Sequence, residues 1–198
     1  MSNETLAELI MTHARALPEG EPLFAKQLLG LGTRAAIDQA LSRLARSGAL
    51  LRVGRGIYVR PVESRFGTRP PETEKLVEAI AEARGETVAS HGAAAANALG
   101  LTTQVPTRSV YLTSGRSRTL HLGKLTVELQ HAPAWQLTLA GKPGGQIVRA
   151  LAWLGPQRAR DLSPLLKQKA SRGAIEEVAR ARMRLPEWMA RQVSELAA

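Results

Sequence analysis

This chain of 198 residues carries 27 Lys and Arg against 17 Asp and Glu, a formal charge of +10 at pH 7 that suits a polyanionic partner such as nucleic acid or an acidic protein. It has no cysteine, which excludes disulfides, thiolate metal sites and a cysteine nucleophile. No apolar run approaches the roughly 20 residues of a membrane-spanning helix, and the N-terminus lacks a signal-peptide pattern, so we expect a cytoplasmic protein without a membrane partner.

Helical spacing of apolar residues predicts a first helix. Its apolar stripe consists of Leu6, Leu9, Ile10, Ala14 and Leu17. Ser2 or Asn3 is expected to cap its start, and Pro18 and Gly20 are expected to end it.

The most informative segment runs from residue 24 to residue 61 and reads FAKQLLGLGTRAAIDQALSRLARSGALLRVGRGIYVRP. It predicts a short helix near residues 25–29, a glycine-containing turn, a longer helix from an N-cap at Thr33 to about Arg46, and a two-stranded hairpin with Arg55 between glycines at its tip. The hairpin residues expected to alternate toward the interior are Leu51, Val53, Ile57 and Val59. This order of elements is that of a winged helix-turn-helix, which we assign to residues 1–61.

Positive charge is concentrated in the same part of the chain. Between residues 26 and 69 there are nine Lys and Arg and only two acids, whereas residues 1–25 hold one Arg and four Glu. The nine cations are Lys26, Arg34, Arg43, Arg46, Arg52, Arg55, Arg60, Arg65 and Arg69. The charge therefore lies on the elements that would face DNA, and we expect this domain to bind duplex DNA.

The second helix of a helix-turn-helix enters the major groove, where its N-terminal half meets base edges. Arg34 and Arg43 suit bidentate contacts with guanine, and Gln39 suits adenine. Asp38 would accept from cytosine or hold a neighbouring arginine. The hydroxyls of Thr33 and Ser42 suit phosphates. Arg55 at the hairpin tip, supported by Arg52 and Arg60, would follow a phosphate ridge or enter the minor groove. The expected DNA-binding residues are Thr33, Arg34, Asp38, Gln39, Ser42, Arg43, Arg46, Arg52, Arg55 and Arg60.

A segment rich in Pro, Gly and Arg, residues 62–71, is the expected linker to a second domain over residues 72–198. That domain begins with a predicted helix over 72–84. A small-residue helix over 91–100 follows, and its alanines would allow it to pack very close to a neighbour.

The rest of the second domain predicts strands and then helices. Strands are expected over 109–113, 119–122 and 124–131, and a helical tail from about Gly144. The expected breaks in that tail are Gly155-Pro156, Ser163-Pro164, Gly173 and Pro186. The fold class is therefore α+β, with an N-terminal winged helix-turn-helix, then a mixed α/β domain with a small antiparallel sheet and a helical C-terminal tail.

Catalytic and metal-binding patterns are missing from the sequence. No HExxH, P-loop, GxSxG or paired-carboxylate arrangement is present. Ser90 and His91 are adjacent, but adjacency does not supply the facing geometry and orienting carboxylate that a nucleophile needs. We therefore expect a protein that is not an enzyme, with no catalytic residues, no metal and no cofactor.

Aromatic and basic residues in the second domain offer a candidate protein interface. Arginines surround Trp188 in the tail, and arginine and aromatic side chains are frequent interface anchors. Buried packing of Trp135, Trp153 and Trp188 is the alternative interpretation. The arginines concerned are Arg180, Arg182, Arg184 and Arg191.

Two stretches carry a resemblance to a known family. The segment over 24–61 resembles the N-terminal winged helix of the AbiEi-like antitoxins of bacterial type IV toxin–antitoxin and abortive-infection systems. A later stretch resembles the second domain of the shorter, DUF6088-type members and reads ETVASHGAAAANALGLTTQVPTRSVYLTSGRSRTLHLGKLTVELQHAP. The resemblance implies an antitoxin that represses its own operon by binding promoter repeats and whose second domain counters a nucleotidyltransferase-like toxin. The DNA readers carried over by position would be Arg34, Gln39, Ser42 and Arg43, with Arg52 and Arg55 on the wing.

The functional expectation is thus a DNA-binding autorepressor and antitoxin, monomeric or weakly dimeric. Its partners would be the duplex DNA of its own promoter and a cognate nucleotidyltransferase-like toxin encoded nearby. The alternative is a stand-alone winged-helix transcriptional regulator whose second domain dimerises or senses a ligand. Winged helices also act as protein-interaction modules, and a steep fall of affinity with salt separates DNA binding from that role.

Overall fold

A computed structural model describes residues 4–65 and 67–198 of the chain and has a mixed α+β architecture. Contacts divide it into two compact units. The first comprises the residues up to Gly85 together with Thr119–Val127, and the second comprises Glu86–Arg118 and Glu128–Ala198. The α+β class predicted from the sequence is confirmed.

Helix α1 covers Leu6–Ala16 and begins with a capping box. The Thr5 backbone N–H donates to Glu8 Oε2 at 2.7 Å, and the Glu8 backbone N–H donates to Thr5 Oγ1 at 3.3 Å. The Thr5 backbone N–H, together with the Thr5 hydroxyl that donates to Glu8 Oε2 at 2.8 Å, lowers the pKa of the Glu8 carboxyl. The N-cap is therefore Thr5, whereas Ser2 and Asn3, the caps expected from the sequence, lie outside the described residues.

A small three-stranded sheet follows α1. Strand β1 is Leu23–Phe24, a 3-10 helix covers Ala25–Leu28, helix α2 is Arg34–Arg46, and strands β2 and β3 are Leu51–Gly54 and Ile57–Val59. The antiparallel sheet has the order β1–β3–β2. Because β3 is the central strand, Tyr58 is buried along with its neighbours, where the sequence predicted simple alternation.

The core of this region lies between the helices and the sheet. Its fully buried members include Ile10 from α1, Leu28 from the 3-10 helix, Ile37 and Leu41 from α2, and Leu50 just before β2. Burial of an aliphatic side chain contributes roughly 1.5–3 kcal/mol, so these five residues fix α2 against α1.

The segment predicted as a linker contains a second hairpin. Strand β4, Val62–Ser64, pairs with strand β5, Gly67–Arg69, in antiparallel register. Helix α3, Thr73–Glu82, comes next and buries Leu76, Val77 and Ile80. The high content of Pro, Gly and Arg suggested open chain, but two three-residue strands pair their backbone groups here.

Strand β6, Val88–Ser90, and helix α4, Gly92–Ala98, begin the second unit. Strands β7, β8 and β9 are Ser109–Thr113, Arg118–Leu122 and Leu125–His131, as the sequence predicted within one residue. The four-stranded sheet has the order β6–β7–β9–β8. Strand β6 was not predicted, because three residues give no readable alternation before they pair with β7.

The chain after β9 is helical. After a 3-10 helix over Ala134–Leu137, helices α5 to α8 cover Pro143–Asp161, Ser163–Lys169, Arg172–Arg180 and Glu187–Ala197. Helix α5 is kinked at Gly155, whose φ of 76° departs from helical geometry just before Pro156. The predicted break at Gly173 is wrong, because Gly173 lies in the first turn of α7, where its N–H needs no partner from the preceding turn.

Helix α4 packs very closely against α5, as its small residues predicted. A Cβ placed on Gly92 would lie 2.5 Å from the backbone oxygen of Arg149 and 2.6 Å from the Cβ of Trp153. Only glycine allows the two backbones this approach.

We therefore expect Gly92→Ala to destabilise the second unit by about 1–3 kcal/mol through overpacking. The matched control is Gly173→Ala in α7, where an added Cβ meets no atom within 4 Å and the helix gains propensity. Thermal unfolding followed by circular dichroism measures both. Equal melting temperatures for the two variants would contradict the close approach of α4 and α5.

Candidate nucleic-acid interface

Helix α2 presents the surface on which most of the predicted DNA-binding residues lie. Its buried side is formed by Ile37, Ala40 and Leu41, spaced to face the core on successive turns. Thr33 is the N-cap, as predicted, and its Oγ1 accepts from the Ala36 backbone N–H at 3.3 Å. The core contacts fix the rotation of the helix and so determine which side chains face outward.

The outward side of α2 is rich in charge. Thr33, the N-cap, and Arg34, Asp38, Gln39, Arg43 and Arg46 are exposed, and Ser42 is half-buried. We call this set, together with the exposed methyl group of Ala35, the α2 face.

Two pairs of side chains on the α2 face are bonded to each other. Arg34 Nε donates to Asp38 Oδ2 at 2.9 Å, so Asp38 holds a neighbouring arginine, one of the two roles expected for it. Arg46 Nη2 donates to Ser42 Oγ at 3.3 Å. Both pairs are at i,i+4 spacing, which places the partners one above the other on the helix surface.

The hairpin after α2 adds two exposed arginines. Arg52 lies on β2, and Arg55 lies at the tip between β2 and β3. Gly56 has a φ of 69°, a left-handed conformation that favours glycine and turns the chain sharply, leaving Arg55 extended into solvent. These side chains are free to approach a polyanion.

Arg60 is in a different environment from the other predicted DNA-binding arginines. It is half-buried, and its Nη2 donates to the backbone oxygen of Leu17 at 3.3 Å. It lines a groove of about 530 Å³ whose carboxylates come from Glu19, Glu21 and Glu63. The hydrogen bond ties Arg60 to the end of α1, in a groove that Arg15 also lines, so Arg60 has a structural role.

Two histidines of the second unit bond to backbone groups. No group of three His, Cys, Asp or Glu side chains in the part of the chain that the structure describes could hold a metal ion. His91 is the N-cap of α4, and its Nδ1 accepts from the Ala93 backbone N–H at 3.2 Å. His131 is bonded through Nδ1 to the backbone oxygen of Gly115 at 2.9 Å.

His91 gives the second unit an expected sensitivity to acid. Burial lowers the pKa of its imidazole, so the folded state favours the neutral ring that accepts from Ala93. This contribution is fully present above the ordinary pKa of histidine and is lost as the pH falls through the lowered value. Between about pH 7 and about pH 5 we expect the wild-type melting temperature to fall more than that of His91→Asn, which keeps a neutral cap. An equal fall in both proteins would contradict this role.

Sequence reasoning missed a cluster of Glu86, Thr113 and Arg118, which lie just before β6, at the end of β7 and at the start of β8. Arg118 donates to both oxygens of Glu86, at 3.1 and 2.6 Å, and Thr113 Oγ1 donates to Glu86 Oε2 at 3.2 Å. The two side chains of this ion pair are only 17% and 15% exposed. Gly115 leaves the space that the Glu86 carboxylate occupies. The partners are 32 residues apart, so local patterning gave no signal of their contact.

A second buried arginine belongs to α5. Arg149 is 2% exposed, and its Nη2 donates to the backbone oxygen of Ala140 at 3.4 Å. Within residues 4–65 and 67–198 its Nε and Nη1 have no hydrogen-bond partner, and burial lowers the pKa of the guanidinium to about 10.

The three tryptophans of the second unit are half-buried and pack against its helical core. The exposed arginines around Trp188 are partly engaged on their own helices. Arg180 pairs with Glu176 at 3.4 Å, Arg191 pairs with Glu187, and Arg182 donates to the backbone oxygen of Ala179 at 3.1 Å. The packing interpretation of the tryptophans is supported, and the exposed arginines remain an interface prediction.

Comparisons with known proteins place the chain in a family. The fold and charge are those of a basic, mixed α+β protein in two compact units. No helix among the described residues is both long and apolar enough to cross a membrane. The chain belongs to DUF6088, described as a family of unknown function, whose family model matches residues 9–172. Searches of curated proteins and of solved structures found no match.

Proposed function

We propose that the first unit contains a winged helix-turn-helix that binds duplex DNA, and that the protein represses its own promoter. The observation that carries this proposal is the coincidence of exposed cations with two successive elements, the α2 face and the β2–β3 hairpin. In a winged helix-turn-helix these elements enter the major groove and follow the backbone. A solvated charged face would not need to coincide with them.

The charge pattern of the first unit supports the same proposal. Exposed cations are on α2 and the hairpin, whereas in the groove beside α1 three carboxylates, Glu19, Glu21 and Glu63, outnumber Arg15 and Arg60. Such a separation orients a protein toward a polyanion and raises its association rate. The proposal assigns no catalytic step to the chain.

A reporter gene tests promoter repression. The DNA upstream of the gene that encodes this protein is fused to a reporter in a host that lacks the system. Wild type is expected to lower reporter output, and Arg52→Ala with Arg55→Ala is expected to relieve the repression. Unchanged output with folded wild-type protein present would overturn autorepression.

We further propose that the protein is an antitoxin of a type IV, AbiE-like system. The resemblance of residues 86–133 to the second domain of such antitoxins supports this role, in which the second unit counteracts a nucleotidyltransferase-like toxin. The exposed arginines around Trp188 offer charged groups for a protein interface.

Co-expression with the adjacent gene product tests the antitoxin role. If that product stops growth alone and growth is restored by this protein, the antitoxin proposal is supported. If the adjacent product is harmless, or if growth is not restored, the stand-alone regulator is the better description.

A further inference from the structure

The α2 face is divided into two rows of side chains. Residues four apart on an α-helix lie above one another on one side. One row consists of Arg34, Asp38, Ser42 and Arg46, and we call it the paired row. The adjacent row consists of Ala35, Gln39 and Arg43, and we call it the open row.

The paired row consists of two bonded pairs, Arg34 with Asp38 and Arg46 with Ser42. Arg34 holds Asp38 at 2.9 Å, and Arg46 donates through Nη2 to the Ser42 hydroxyl and through Nε to the Ser42 backbone oxygen. A base contact made through Arg34 Nε, Arg46 Nε or Arg46 Nη2 would require breaking or sharing these bonds. The bonds favour one orientation of these side chains relative to the helix before any ligand arrives.

The open row differs from the paired row in the bonding of its side chains. Gln39 and Arg43 are exposed, and their side chains have no hydrogen-bond or ion-pair partner within residues 4–65 and 67–198. Ala35 presents an exposed methyl group one turn before Gln39. The row thus offers an apolar contact, an amide and a guanidinium, in that order along the helix.

From this division we infer that the open row reads the base sequence and the paired row positions the helix on the phosphate backbone. The inference rests on the proposed DNA binding of the first unit. Arg43 takes guanine through O6 and N7, Gln39 takes adenine through N6 and N7, and Ala35 contacts a thymine methyl group. The exposed donors and acceptors of Gln39 and Arg43 are thereby matched to the base edges that complement them.

The length of the open row fits a short block of base pairs. At about 1.5 Å of rise per residue, Ala35 and Arg43 lie about 12 Å apart along the helix axis, which corresponds to three or four base-pair steps of about 3.4 Å. The recognised element is therefore a block of four or five base pairs that contains a guanine, an adenine and a thymine.

The paired row has the chemistry of a backbone clamp. Arg34 and Arg46 lie toward the two ends of the helix, and a phosphate is recognised by charge without regard to base identity. Arg34 bonds Asp38 through Nε, which leaves its two Nη groups for a phosphate. This assignment removes Arg34 from the base readers expected from the sequence and keeps Gln39 and Arg43 among them.

Selection of binding sites from a random duplex library tests the assignment. Full-length wild type, Gln39→Ala, Arg43→Ala and Arg34→Ala are each used to enrich bound DNA, and the enriched sequences are compared. Circular dichroism confirms that each variant is folded. Fluorescence anisotropy on the wild-type consensus and its single-base variants then gives the preference at each position.

The expected outcome separates the two rows. Gln39→Ala loses the preference for adenine, and Arg43→Ala loses the preference for guanine, each about 5- to 150-fold at one position. Arg34→Ala keeps the wild-type consensus and weakens binding to all duplexes by a similar factor. Loss of base preference in Arg34→Ala with an unchanged consensus in Gln39→Ala and Arg43→Ala would overturn the assignment of the rows. Failure of wild type to enrich any consensus would overturn sequence-specific DNA binding itself, so the two failures are distinguishable.

Discussion

Raising the salt concentration from 50 to 200 mM is expected to weaken duplex-DNA binding about 150-fold. Each phosphate neutralised contributes about −0.9 to the slope of log affinity against log salt. Four exposed arginines are assigned to the backbone, namely Arg34 and Arg46 on α2 and Arg52 and Arg55 on the hairpin. Together they predict a slope of about −3.6 per protomer, which a titration by fluorescence anisotropy at several salt concentrations measures.

Arg55→Ala is the variant that isolates one of these contacts. Because Arg55 extends from the hairpin tip, its removal should flatten the slope to about −2.7 without changing base preference. The control is Arg15→Ala, an exposed arginine of α1 outside the α2 face and the hairpin. A wild-type slope near zero would favour a protein-interaction module, and an equal flattening by Arg15→Ala would contradict the assignment of Arg55.

Glu86→Ala is expected to destabilise the second unit by about 3 kcal/mol. Removal of the carboxylate leaves Arg118 largely buried without its charge partner and removes the acceptor of the Thr113 hydroxyl. Removal of one partner of a buried ion pair costs about 3–5 kcal/mol of stability. Because both side chains of this pair keep some exposure, we expect a loss at the lower end of that range. Urea unfolding monitored by circular dichroism and tryptophan fluorescence measures the loss, since the tryptophans report on this unit.

The same unit provides a matched control for Glu86. Glu128 pairs with Arg108 at 3.8 Å, and the Arg108 side chain is 81% exposed. Glu128→Ala should therefore change stability by less than about 1 kcal/mol. If both glutamate variants unfolded at the same urea concentration as wild type, the Glu86–Arg118 pair would not stabilise the second unit as proposed.

The sequence predicted the longer elements of the fold well. Helix α2 begins after Thr33 and ends at Arg46, and β7 has the predicted bounds, because an apolar stripe, a hydroxyl cap and alternation are local signals. Strands β1 and β6, with two and three residues, were missed. Strands of that length are defined by their partners and not by their own pattern.

The candidate interface was predicted in composition but not in detail. Charge counting located the cations on α2 and the hairpin, and the Arg34–Asp38 pair follows from their spacing. Arg60 could not be distinguished from the other arginines, because its partner is the backbone of Leu17, 43 residues earlier in the chain. The separation of the α2 face into a paired and an open row likewise required the side-chain contacts.

The most direct test of the central claim compares two duplexes. The affinity of the full-length protein for the DNA upstream of its own gene is measured at physiological salt beside a scrambled duplex of the same length and composition. We predict binding to the upstream DNA that is tighter by about 1,000-fold or more, as is usual for specific over non-specific sites. Equal affinity for the two duplexes would contradict sequence-specific binding of the protein to its own promoter.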